Sequence, residues 1–439
     1  IDAYDCDFSR IDSNVVRGYD DGVRYAIYAP ESYYVNIEYN DLTVFRHMGV
    51  YFQNSANAKV NHNVIEISDS PYDGTYTPNT GIYNNSSNQF AEVRDNEIDV
   101  VDGSRRNYAG VRGIVVHDSE VINNVIEASE EQGRGYTIAV GIHANRSTIQ
   151  GNSVWVYDSG GSTQYLATWD NYNGHGYGVG ILSFGDGAPM HEISDNAVDA
   201  QNQSQAIWCS YAHVHDNMLL GVSNSSYGII AFDQSIVESN SVSEFRYGLE
   251  CRGASVEVVD NMISAERNGI RAESVSGDYV IMNNTFNKTT TNGDWFVYLT
   301  NAASVTMENN EFTSLGGNGF YFNNTSVTVE RNLLVTPGRG LELTNQAGGK
   351  VLNNTLISTG NGDYGIKVSN LSTPVMRNNI VQGYQTGMQI DNDLMNTNVS
   401  HNALWNISGE QYTGTALAPL IGEPLSFNAN SDSSDVYGN

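Results

Sequence analysis

The chain has 439 residues and a formal net charge of −29, with 21 Lys and Arg against 50 Asp and Glu. That balance excludes ordinary nucleic-acid binding, which needs basic stripes, and disfavours docking on an anionic membrane surface. No run of 18 apolar residues occurs, so the sequence offers no membrane-spanning helix.

In chain order, residues 1–13 carry Asp2, Asp5 and Asp7 and are expected to cap the end of a repeat array. From Asn14 onward the chain repeats itself. The unit is plainest at Val121-Ile122-Asn123-Asn124-Val125-Ile126, where an Asn has an aliphatic residue three positions before it and another two positions after it. The arrangement recurs at Asn14, Asn40, Asn63, Asn96, Asn124, Asn152, Asn196, Asn217, Asn240, Asn261, Asn284, Asn310, Asn332, Asn354, Asn379 and Asn402. Upstream of nearly every anchor stands Gly followed by an aliphatic residue, as at Gly113-Ile114, Gly141-Ile142, Gly228-Ile229, Gly269-Ile270 and Gly365-Ile366.

Self-similarity at this period marks a solenoid. Its pieces are short, β-branched and alternating, bounded by Gly, Asn, Ser and Asp, and no helical periodicity spans ten residues. A unit of roughly 22 residues therefore holds three short strands and three bends, one coil of a parallel β-solenoid. About sixteen coils form a single domain over residues 1–430, with a polar tail over 431–439. The anchor Asn is expected to sit in a bend, to adopt left-handed backbone geometry there and to bond to the next anchor as a ladder. Cys209 and Cys251 fall two coils apart, too far for a disulfide, and read as buried thiols; Cys6 has no evident partner. The start at Ile1 fits a mature or trimmed chain.

These repeats resemble the right-handed parallel β-helix of the pectate-lyase-like superfamily, including its carbohydrate-binding and sugar-hydrolase-like repeat proteins. The resemblance covers nearly the whole chain. It implies an all-β, right-handed solenoid and leaves activity open, because that superfamily hosts lyases, hydrolases, epimerases, adhesins and phage tailspikes.

Four consecutive coils carry long insertions, between Asn63 and Gly81, Asn96 and Gly113, Asn124 and Gly141, and Asn152 and Gly180. Four insertions at one bend should rise from one edge as a wall beside the Gly-aliphatic strands, whose outward face would be a groove. Counting from the anchors gives two acidic columns: Glu66, Asp99 and Glu127 three residues on, and Asp69, Asp102, Glu130 and Asp158 six residues on. Carboxylates stacked about 4.8 Å apart repel. Calcium held by oxygen ligands, pairing with Arg105, Arg106 or Arg134, or protonation at a raised pKa would relieve them, unless they diverge into water. Asp69, Asp102, Glu130 and Asp158 are the candidate metal ligands.

The insertions are rich in aromatics, Trp155 and Tyr157 among them. Tyr136, Trp155, Trp169 and Tyr172, with Arg105 and His175, are the candidate sugar-binding residues, rings with polar edges suiting sugars. On the groove strands, alternation puts Tyr83, Val115 and His143 outward and makes His117 a diagonal neighbour of His143. A lyase acting on a uronic acid needs a base and a group to neutralise the substrate carboxylate, roles that Arg112, His117, His143 and Arg146 could fill. Gly174-His175-Gly176 resembles the Gly-His-Gly of polygalacturonases, but their accompanying acidic motifs are missing upstream of it.

These features suit three kinds of protein. The first is an extracellular or cell-surface protein that binds polysaccharide, anionic ones included, and degrades it as a lyase or glycoside hydrolase. The second is a non-catalytic adhesive or structural rod, with other domains beyond its C-terminus as partners. The third is a tailspike-like viral protein.

Overall fold

The computed structural model describes residues 1–18, 24–45, 47–68, 79–84, 86, 89–102, 110–130, 139–158, 178–187, 190–202, 204–222, 226–273, 277–391, 398–413 and 425–426. Every element among them is a β-strand and every strand pairing is parallel. Among the described residues about fourteen turns are formed, slightly fewer than the sixteen anchors suggest. No helix among the described residues is long and apolar enough to cross a membrane. The chain packs as two compact units, Ile1–Ile230 with Ser243–Phe245, and Ala231–Val242 with Arg246–Asn439.

In the first unit the anchors Asn14, Asn40, Asn63, Asn96, Asn124, Asn152, Asn196 and Asn217 form an unbroken ladder. Each side-chain Nδ2 donates to the next Oδ1 at 2.9–3.0 Å. The same oxygen accepts the preceding anchor's backbone N–H, so one carbonyl satisfies two donors inside the bend. Two residues past the anchors, Ile65, Ile98, Ile126, Val154 and Val198 stack in register and are buried. That stack explains why the aliphatic residue recurs two positions after each Asn.

The ladder corrects one expectation. The left-handed residue is the one before the anchor, not the anchor itself. Ser13, Tyr39, His62, Asp95, Asn123, Asp195 and Asp216 have φ between 53° and 57°, whereas no anchor has positive φ. The backbone turns at the preceding residue, and that turn aims the anchor's amide inward, where Asn124 Nδ2 also reaches the Ile122 carbonyl at 3.1 Å.

The repeated Gly has a different cause, close approach. A Cβ on Gly113 would stand 2.4 Å from Ile126 Cγ2 and 2.5 Å from the Gly141 carbonyl oxygen. A second, shorter ladder of serines is not evident from the repeat pattern. The Ser119 N–H donates to Ser147 Oγ at 3.0 Å, and the Ser32 N–H donates to Ser55 Oγ at 2.9 Å. Cys209 is a buried thiol in no disulfide, as expected, and Cys6 is in none either.

The second unit repeats the plan. Asn240, Asn261, Asn284, Asn310, Asn332, Asn354, Asn379 and Asn402 form its ladder at 2.9–3.0 Å. Phe286, Phe296, Phe312 and Phe320 fill its interior with ring centroids 4.9–5.9 Å apart. Lys288 takes an inward position and is fully buried. Its Nζ donates to the Asp294 carbonyl at 2.5 Å, while the Asp294 carboxylate holds Arg267 at 2.6 Å. Burial pushes the Lys288 pKa down to about 8, Asp294 opposing and Arg267 reinforcing the shift. Cys251 is a buried thiol in no disulfide.

Candidate functional site

The coils bearing the insertions lie in the first unit, and two sets of strands present side chains there. Arg105, Tyr136, Trp169, Tyr172, His175 and Asp69 lie outside the described residues, as does the side chain of Asp102. The remaining candidates can be placed.

On the Gly-aliphatic strands, Val111–His117 pairs with Ala139–Asn145, so that Tyr83, Val115 and His143 stand opposite one another and His117 faces Asn145. His117 and His143 meet edge to face, with ring centroids 5.7 Å apart. The outward positions change character along this row. Tyr28, Tyr51 and Tyr83 are half-buried and stacked at 5.3 and 5.6 Å. Val115, His143, Leu182 and Trp208, further along, are 1, 2, 4 and 4% exposed although they point away from the solenoid interior. These strands are therefore covered on both faces.

Burial holds the His143 pKa well below the ordinary histidine range, and the charges of Arg112 and His117 add to it against a bond with Asn145. The ring is neutral at physiological pH. Arg146 is engaged by two carboxylates. Its Nε and Nη2 grip both oxygens of Asp118 at 2.7 and 2.8 Å, and Nη1 lies 3.6 Å from Asp186. Arg112 is half-buried on the strand beside His143.

The strands after the anchors present the acidic columns in the register counted from the sequence. Glu66, Asp99 and Glu127 are direct neighbours. Asp99 is half-buried, and its pKa is raised by burial first, then by Glu127, Glu66 and Glu97. The next two residues of this row are Trp155 and Asp199. In the second column Asp102, Glu130 and Asp158 stand in register, and the Glu130 and Asp158 side chains are buried.

Trp155 has a partner that counting aromatics does not reveal. Tyr157, two residues on along the same strand face, lies nearly parallel to it at 7°, with centroids 6.0 Å apart. Both rings are partly exposed. Glu127 and Asp199 flank Trp155 on the adjacent coils, while Gln201, opposite Tyr157, bonds the Asp199 carboxylate. Asp199 and Gln201 escape a search of the sequence for insertions, because their coil carries no long one. Counting three and five residues from Asn196 finds them.

Residues 202–356 and 281–418 match the family model described as a right handed beta helix region. With the parallel coils and the Asn ladder, this decides the fold. The chain is a right-handed parallel β-helix. No curated protein matches it. Among solved structures, the β-helix is similar to PfbA, a surface adhesin of Streptococcus pneumoniae, at 12% identity and a TM-score of 0.36, covering 86% of this chain and 85% of that one. It is also similar to the DFA-IIIase of Arthrobacter chlorophenolicus A6 without its lid, at 11% identity and a TM-score of 0.28, covering 75% and 88%. A third likeness is to the tailspike gp61 of Pseudomonas phage phi297, at 11% identity and a TM-score of 0.24, covering 77% and 48%. At these values the likenesses carry no argument.

Proposed function

We propose that this β-helix is an extracellular polysaccharide-binding protein whose ligand is a neutral glycan lying across Trp155 and Tyr157. The observation that carries this reading is the pair of near-parallel, partly exposed rings flanked by Glu127 and Asp199. Aromatic faces take the apolar face of a sugar ring, and carboxylates beside them accept hydrogen bonds from its hydroxyls. The same carboxylates, on a chain of charge −29, repel a polyuronate. The platform rests on strands rather than loops, so it is held in place before the ligand arrives.

The expected result is retention of the chain by neutral polysaccharides in affinity electrophoresis, with weaker retention by uronates. Trp155→Ala should weaken binding by about tenfold or more, since burying one aromatic face contributes on the order of 1.5–3 kcal/mol. Tyr298→Ala in the second unit should leave it unchanged. Equal binding by Trp155→Ala, or retention by uronates alone, would overturn this reading.

Turnover is the second reading, favoured by Asp99 and Glu127. Two neighbouring carboxylates, one with a raised pKa, are the acid and base of glycoside hydrolysis. New reducing ends that vanish in Asp99→Asn would support it. Unsaturated ends read by ultraviolet absorbance would point instead to lyase chemistry on Arg112, His117, His143 and Arg146.

Calcium belongs to this proposal through the second column. Glu130 and Asp158 are buried carboxylates in register on adjacent coils, and oxygen ligands suit a hard cation. Added calcium is expected to raise the melting temperature of chelator-treated protein. The Glu130→Gln, Asp158→Asn double variant should not respond. A parent protein indifferent to calcium would exclude it.

A further inference from the structure

Away from that surface, the first unit carries a cluster of a different chemistry. The strands His191–Ser194 and Ala212–His215 pair in parallel, with Glu192 opposite His213 and Ser194 opposite His215. Ile193 and Val214 point inward and are fully buried. Strand alternation therefore turns Glu192, His213 and His215 outward together, and all three are partly exposed. The anchor Asn217 fixes the backbone beneath them, its Nδ2 donating to the Ile193 carbonyl at 2.8 Å and the His215 carbonyl at 2.9 Å.

The side chains converge. The two imidazole centroids are 4.4 Å apart. His213 Nδ1 lies 3.5 Å from Glu192 Oε1, and His215 Nε2 touches the same oxygen. The three donor atoms all lie within 4.8 Å of one another. Behind them, His215 Nδ1 bonds the Asp216 carboxylate at 2.8 Å. Among the described residues this is the one grouping of three such side chains.

We infer that Glu192, His213 and His215 form a binding site for a divalent transition-metal ion of the zinc class, with Asp216 orienting His215 from behind. Two imidazoles and one carboxylate are a borderline donor set, suited to zinc and its neighbours rather than to calcium. With bonds of about 2.0–2.1 Å, a tetrahedral zinc places its ligand atoms about 3.3 Å apart. The observed separations need side-chain rotations only, on a backbone held by strand pairing and by the Asn ladder. Three protein ligands leave a fourth position open to water or to an oxygen of a bound molecule. A carboxylate on the second nitrogen of a ligating histidine is the usual outer partner, setting the ring's tautomer and orientation. Binding would replace the contact between His215 and Glu192 with two bonds to the metal and release any proton shared there. The partly exposed setting gives the ion a way in.

The competing account is a proton-sharing network of His215 with Glu192 and Asp216 that holds no metal. Calorimetric titration of the chelator-treated full chain with zinc chloride separates the two, with cobalt(II) absorption as the spectroscopic probe. Saturable uptake of one ion at this site is expected, weakened about tenfold or more by His213→Ala and by Asp216→Asn. The visible cobalt bands should disappear in His213→Ala, and thermal melting should show that variant folded. Glu257→Gln, an exposed carboxylate of the second unit, should leave zinc uptake unchanged. If zinc uptake is absent, is indifferent to both His213→Ala and His215→Ala, or is lost in Glu257→Gln, the inference fails.

Discussion

Asn261→Leu is expected to destabilise the second unit by about 3–5 kcal/mol, because several buried groups lose their partners at once. Asn261 Nδ2 donates to the carbonyls of Val237 and Val259 and to Asn284 Oδ1, at 2.8, 2.9 and 3.0 Å. Its Oδ1 accepts from the Asn240 backbone N–H and from Asn240 Nδ2, at 2.9 and 3.0 Å. Leucine is close in size and satisfies none of them. Removing one partner of a buried bond costs about 1–3 kcal/mol, and the losses overlap because they share one side chain. The change should appear in denaturant titration as a lower midpoint with an unaltered slope. Asn14 provides the internal comparison. It is only partly buried and its side chain bonds just the Asp12 carbonyl and Asn40 Oδ1, so Asn14→Leu should cost about 1 kcal/mol. Equal stability of Asn261→Leu and the parent would mean that the ladder contributes nothing.

The second large effect separates two adjacent glycines. Gly349 has φ of +109°, and a Cβ there would stand 1.9 Å from the Val327 carbonyl oxygen and 2.9 Å from the Val327 backbone nitrogen. Both atoms belong to a neighbouring coil in register with Gly349, so neither can move without breaking the pairing. Gly349→Ala is expected to cost about 3 kcal/mol or more, combining a disallowed backbone conformation with a backbone collision. Gly348 precedes it with ordinary φ, and a Cβ there meets nothing within 4 Å. Gly348→Ala should be neutral, or stabilising by about 0.4–1 kcal/mol through the unfolded chain. Thermal melts of the two variants side by side provide the test. Similar melting temperatures would mean that the coils can part at Gly349 without penalty.

Both effects concern the repeat, and the repeat is what the sequence by itself determined. The Asn positions, the aliphatic residues two places on and the in-register acidic row of Glu66, Asp99 and Glu127 can all be counted from the letters. Each coil bonds chiefly to the coil before and the coil after, so a periodic pattern carries its own register. What the tertiary structure decided is access and partnership. Alternation places His143 correctly on the outward face, yet it is 2% exposed, and nothing periodic foretells the covering of one coil's outward face. Arg146 reads as a substrate-facing charge, yet it clasps Asp118, because both sit at left-handed strand ends on adjacent coils. The left-handed residue itself falls one position before each anchor, since the same Asn cannot be read from composition as both hinge and hydrogen-bonding rung. Glu192, His213 and His215 escape a reading of the letters for a related reason. His-Val-His is visible in the sequence, but its carboxylate comes from the preceding coil, and only the strand pairing brings it within reach.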